Sequence, residues 1–152
     1  MCIFKSMNSL LLELLSFIQE TLLEEAKSPE ILAKTSQDIK DRSHSRPAKL
    51  SKVDRTNGIW NYQVPGKNAT YLVRVKLSDP NVKHFDESDI LITCNCPFFR
   101  WQGPEHWAKL DKYLYQNPVG TASKPVVRDP EGVKKICKHC VSALALAKNI
   151  TL

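Results

Sequence analysis

Hydrophobic residues recur at helical spacing in the first third of the chain and alternate beyond residue 48, so two kinds of structure are expected in series. Over residues 7–27 Leu, Glu and Gln predominate and neither Gly nor Pro occurs, which favours a helix. Leu11, Leu15, Ile18 and Leu22 follow one another at steps of four, three and four and form one stripe, with Leu10, Leu14 and Phe17 beside it. So wide an apolar face packs either on its own domain or on a partner or second copy, because a coiled-coil seam has the same spacing over so short a length. Its polar residues are Glu rather than Lys, which argues against a membrane surface. Ser28-Pro29-Glu30 is a helix-start signal, with Ser as cap and Pro in the first turn, and predicts a second helix to about residue 40. Residues 1–47 thus read as a helical hairpin ending in a polar linker at 41–47, where His44 is expected to be solvated.

From residue 48 the period is two. Runs at 49–54 and 59–64 flank Asn57-Gly58, a hairpin-turn signal, and Pro65-Gly66 marks the turn into a third strand at 70–77. Trp60, Tyr62 and Val64 share a face, as do Tyr71, Val73, Val75 and Leu77, while Arg74 and Lys76 point the other way. This alternation predicts an antiparallel sheet covered on one face. An acidic loop containing His84, which has no partner at metal spacing, leads to a further strand at 89–93. The apolar run Val141-Ser-Ala-Leu-Ala-Leu-Ala predicts a C-terminal helix.

Two short pairs, Cys94-Asn-Cys96 and Cys137-Lys-His139, carry the candidate chemistry. Residues two apart on a strand point to the same side, so Cys94 and Cys96 can aim both thiolates at one point. Residues two apart inside a helix lie about 200° apart around its axis. Cys137 is therefore expected just before the last helix, with His139 in its first turn. Cys140 competes, because it shares a face with Cys137 if the helix starts earlier. The reading is one structural zinc held by three cysteines and a histidine, or by four cysteines.

The pattern Cys-x-Cys, spacer, Cys-x-His opening an apolar helix resembles the SWIM-type zinc finger, a strand-strand-helix module. The resemblance covers residues 50–150. It implies Cys94, Cys96, Cys137 and His139 as ligands of Zn2+, with Cys140 in a slot that usually holds an aliphatic residue. The spacer, residues 97–136, is longer than usual. A weaker similarity, in size and in the insert sequence Arg100-Trp-Gln-Gly-Pro-Glu-His-Trp107, is to short SWIM-bearing proteins of tailed bacteriophages, which would imply a virion structural or assembly role.

The expected architecture is therefore α+β: a helical hairpin and linker over 1–47, then a zinc-binding domain over 48–152 in which sheet and C-terminal helix are joined by the metal, with an insert at 97–136. The insert gathers Phe98, Phe99, Trp101, Trp107, Tyr113 and Tyr115 with Arg100, Lys109 and Lys112, a mixture that suits either base stacking with phosphate contact or a small satellite core with lysines at its rim.

Charge sharpens this. The formal net charge is +6 over 152 residues, but residues 1–47 hold six basic and seven acidic side chains, against sixteen and nine in 48–152. The positive excess belongs to the second part and favours polyanions, with Arg74, Lys76, Arg100, Lys109 and Arg128 as candidate phosphate contacts. Five cysteines, an odd number at metal spacing, fit a reducing compartment and hence the cytoplasm, or a virion for a phage protein. The N-terminus lacks an export signal and no run is long enough to cross a membrane. No phosphate loop or nucleophile elbow is present, and Glu105 and the adjacent His106 point to different sides of a helix. A non-enzymatic binding or assembly module is expected, with nucleic acid or protein as partner and no small-molecule substrate.

Overall fold

The computed structural model describes residues 26–120, 122–150 and 152. The stripe Leu11, Leu15, Ile18 and Leu22, and the expected first helix up to residue 25, lie outside these. Ala26 and Lys27, placed by sequence at the end of that helix, instead form a short strand, β1 (Ala26–Lys27), against the later edge residues Ile90 and Asp89.

Two short helices follow, α1 (Ser28–Ala33) and α2 (Gln37–Ser43), where one was expected. The break falls at Thr35, whose hydroxyl donates to the Ile31 carbonyl at 3.0 Å and whose backbone bridges to the distant Lys134. Ser28 is not the cap. That position falls on Lys27, and the Ser28 hydroxyl donates instead to Asp86. The polar linker begins later than residue 41, because α2 continues through Ser43 with Arg42 paired to Asp38 at 2.8 Å one turn back. His44 is exposed at the end of α2, as expected.

The sheet comprises β2 (Lys49–Asp54), β3 (Ile59–Pro65), β4 (Thr70–Leu77) and β5 (Asp89–Cys94), all antiparallel, in the order β1-β5-β4-β3-β2. Of the Asn57-Gly58 pair only Gly58 takes positive φ (+65°), in a four-residue loop where Asp54 accepts from the Asn57 N–H. Register puts Trp60 opposite Val75, Tyr62 opposite Val73, and Val73 and Val75 opposite Cys94 and Ile92. Those side chains are buried, and on that face lies the last helix, α5 (Lys138–Ala147). The helix α2 packs on α5 in turn, so Ile31 and Ile39 belong to the same core as the sheet.

Between β5 and α5 the insert forms α3 (Pro97–Trp101) and α4 (Pro104–Leu110), then a strand-like stretch at 113–115 that continues the sheet beyond β5: Ile92 N–H donates to Tyr113, and Tyr115 N–H to Ile92. Its aromatic residues differ in burial. Phe99 and Tyr113 are buried core, Trp101 is 58 % exposed, and Tyr115 is half-buried at the outer face of the sheet. Trp107 anchors the long loop that follows: its indole N–H donates to the buried Asp129 carboxylate at 2.8 Å, and Lys135 Nζ stands 4.3 Å from its ring centroid. Asp129 also accepts the backbone N–H groups of Val133 and Lys134.

Candidate metal centre

The end of β5 and the start of α5 meet at the four residues singled out by spacing. The ligand atoms of Cys94, Cys96, Cys137 and His139 all lie within 4.8 Å of one another, and all four side chains are buried. Each is placed by a definite local cause. Asn95, between the first two cysteines, prolongs the ladder to β4, donating its N–H to the Leu72 carbonyl at 3.2 Å and accepting the Leu72 N–H on its side chain at 2.8 Å. With Asn95 held outward, Cys94 and Cys96 project to the same side. Cys96 is also the N-cap of α3, where its sulfur accepts the Phe99 N–H at 3.3 Å, and Pro97 begins the helix.

Cys137 is the N-cap of α5 and His139 sits in its first turn, as the spacing required. His139 Nδ1 is 3.9 Å from Cys137 Sγ, and the imidazole lies against Tyr71, ring centroids 4.7 Å apart. Gly66 leaves room for that tyrosine, since a Cβ at 66 would run into the Tyr71 ring.

A tetrahedral ion with bonds of about 2.0–2.3 Å draws its ligand atoms to about 3.3–3.8 Å of each other. The observed group is slightly wider and needs only small side-chain movements to close. The donor set suits a metal: three thiols and an imidazole, with no lysine or arginine among them. Cys140 is the one complication. It is fully buried, with its Sγ 3.5 Å from that of Cys137, so a fourth thiol borders the group of four.

Without metal, the thiols of Cys94, Cys96 and Cys140 hold their protons more tightly than a free cysteine does. The neighbouring Cys137 pulls the pKa of Cys94 down, but Cys140, Cys96 and burial outweigh this and leave it raised. At Cys96 the neighbouring Cys137 raises the value and burial adds to it; at Cys140 burial dominates. A metal must therefore displace protons on entering.

The other predicted residues are dispersed. Arg74 and Arg100 line one cavity, and Lys76 lies on the same outer face of β4 two residues along from Arg74. Lys109 is exposed near the end of α4, and Arg128 is exposed in the turn at 126–128; neither lines that cavity. Glu105 and His106 have separate partners, the backbone N–H groups of Val119 and Gly120 for the first and the Ala122 carbonyl, 2.8 Å away, for the second. Sequence reasoning missed Glu105 as an anchor of the insert and Asn95 as the spacer that orients the cysteines. Among the described residues no helix is long and apolar enough to cross a membrane.

No protein-family model, curated protein or solved structure matches the chain.

Proposed function

We propose that the chain is a zinc-stabilised, non-catalytic module that binds single-stranded nucleic acid on the outer face of its sheet. The donor set supports zinc, because a thiolate-rich tetrahedral site selects a soft or borderline ion. The resemblance to the SWIM module agrees with it. Four protein ligands leave no coordination position for water, so the metal holds the fold rather than activating a nucleophile.

The observation that carries the binding reading is the groove on the outer face. Register aligns Lys52, Asn61, Arg74 and Thr93 in one row across β2, β3, β4 and β5. The groove has a volume of about 400 Å³ and is lined by Lys52, Arg74, Ile59, Leu72 and Tyr115. Guanidinium and ammonium groups beside an aromatic ring are what a strand requires, phosphate on the charges and base on the ring. The second part of the chain carries the whole positive excess, which adds long-range attraction.

Fluorescence anisotropy with labelled single-stranded oligonucleotides tests this. Binding should weaken steeply as salt rises, and Arg74→Gln with Lys52→Gln should flatten the slope. No binding at low salt would overturn the reading.

A further inference from the structure

Where the insert meets the outer face, an open-mouthed cavity of about 250 Å³ is lined by Leu72, Arg74, Thr93, Cys94, Asn95, Arg100, Glu105, Gln116 and Val119. Its polar groups are incompletely matched. Glu105 is only 3 % exposed; its Oε1 accepts the N–H groups of Val119 at 2.5 Å and Gly120 at 3.3 Å, whereas Oε2 is buried without a hydrogen-bond partner among the described residues. The buried Nε atoms of Arg74 and Arg100 likewise have none. Among the described residues neither arginine forms an ion pair with Glu105. An unmatched carboxylate oxygen in a buried setting is costly, and a ligand that supplies a donor removes the cost.

We infer that this cavity is a nucleotide-recognition pocket, reading the amino-bearing base edge shared by cytosine and adenine. The inference rests on the nucleic-acid reading above and goes further, to base preference. Glu105 Oε2 accepts from the exocyclic amino group, which thymine and uracil lack. Asn95 has its Oδ1 committed to Leu72, so its Nδ2 remains a donor toward the acceptor atoms of the same base, as does the amide of Gln116. Arg74 and Arg100 take the adjoining phosphate. The pocket is smaller than a site for a drug-sized ligand and suits one base. It shares Leu72 and Arg74 with the groove holding Tyr115, so the strand continues from one into the other.

The decisive comparison is oligo-dC against oligo-dT of equal length, measured on the intact metal-bound protein. The expected result is at least about tenfold tighter binding of oligo-dC, the scale of one hydrogen bond to a buried charge. Glu105→Gln keeps an acceptor for Val119 and Gly120 but presents a donor where Oε2 was, and should abolish or invert the preference while oligo-dT binding keeps its salt slope. Equal binding of both strands by the wild type would overturn the pocket and leave the sheet-face reading intact. Free dCMP is the second arm. Capture of dCMP with no binding of either strand would support the pocket as a site for free nucleotides and sink the sheet-face reading. Binding of no probe would overturn both.

Discussion

The hydroxyl of Ser142, in the middle of the last helix, donates to the carbonyl of Ser43 at 3.0 Å across 99 residues of chain. Together with the fully buried Ile39, it binds the α2 segment to the helix that carries Cys137 and His139. Residues 26–43 therefore share the core of the sheet. Ile39→Ala should cost about 2–5 kcal/mol. Chemical denaturation followed by circular dichroism and by tryptophan fluorescence should show one coincident transition; separate transitions would mean that the helices form a unit of their own.

Metal removal should unfold the protein. Structural zinc contributes about 10–16 kcal/mol in finger peptides near neutral pH, comparable with or above the whole stability of a typical domain. Elemental analysis should find one zinc per chain, and Cys96→Ser should lose both the metal and the near-ultraviolet dichroism of the packed aromatic residues.

The choice between His139 and Cys140 is open to a spectroscopic test. Cobalt substitution gives thiolate charge-transfer bands whose intensity follows the number of coordinating sulfurs. Cys140→Ala should leave the spectrum and the metal content unchanged, whereas His139→Ala should weaken metal binding. The reverse pattern would make Cys140 the fourth ligand.

Alkaline pH should destabilise the fold through Tyr62. Burial raises its phenol above the ordinary value of 10.0, and Tyr113 is raised by burial and by the nearby Asp111 carboxylate. The folded state holds these protons longer than the unfolded chain does. The associated stability is complete below pH 10.0 and declines as pH rises from there toward the raised folded values. Phenolate absorbance should show Tyr62 and Tyr113 ionising only as the protein unfolds.

Gly132 has φ +66°, and a Cβ there would lie 3.0 Å from the Trp107 ring. Gly132→Ala should lower the melting temperature and loosen the loop fixed by Asp129, at a cost of about 1–3 kcal/mol. Faster proteolysis within residues 116–132 would report it.

The strands were legible because alternation is a local signal: β2 and β4 fall within the expected limits, and β3 and β5 extend one residue further. The position of Cys137 followed from helical geometry alone. What could not be read depended on partners distant in sequence. The break at Thr35 is set by Lys134, and the short strand at Ala26 exists only because Ile90 offers an edge. Glu105 looked like half of a failed catalytic pair because its partners, Val119 and Gly120, lie in a loop without periodicity. The insert's aromatic residues could not be sorted by spacing, since Tyr113 is buried in the core and Tyr115, two residues on, lines the outer-face groove, against the period of a regular strand.

β2 is the outermost strand, and among the described residues its only neighbour is β3. A long, flat, apolar edge would invite another chain to add a strand and seed aggregates. Here the register slips between Leu50 and Lys52, and Lys49 and Lys52 are both exposed. Kinked and positively charged, the border of the sheet resists end-to-end growth into fibrils, so the protein should remain dispersed at concentrations where a smoother edge would precipitate.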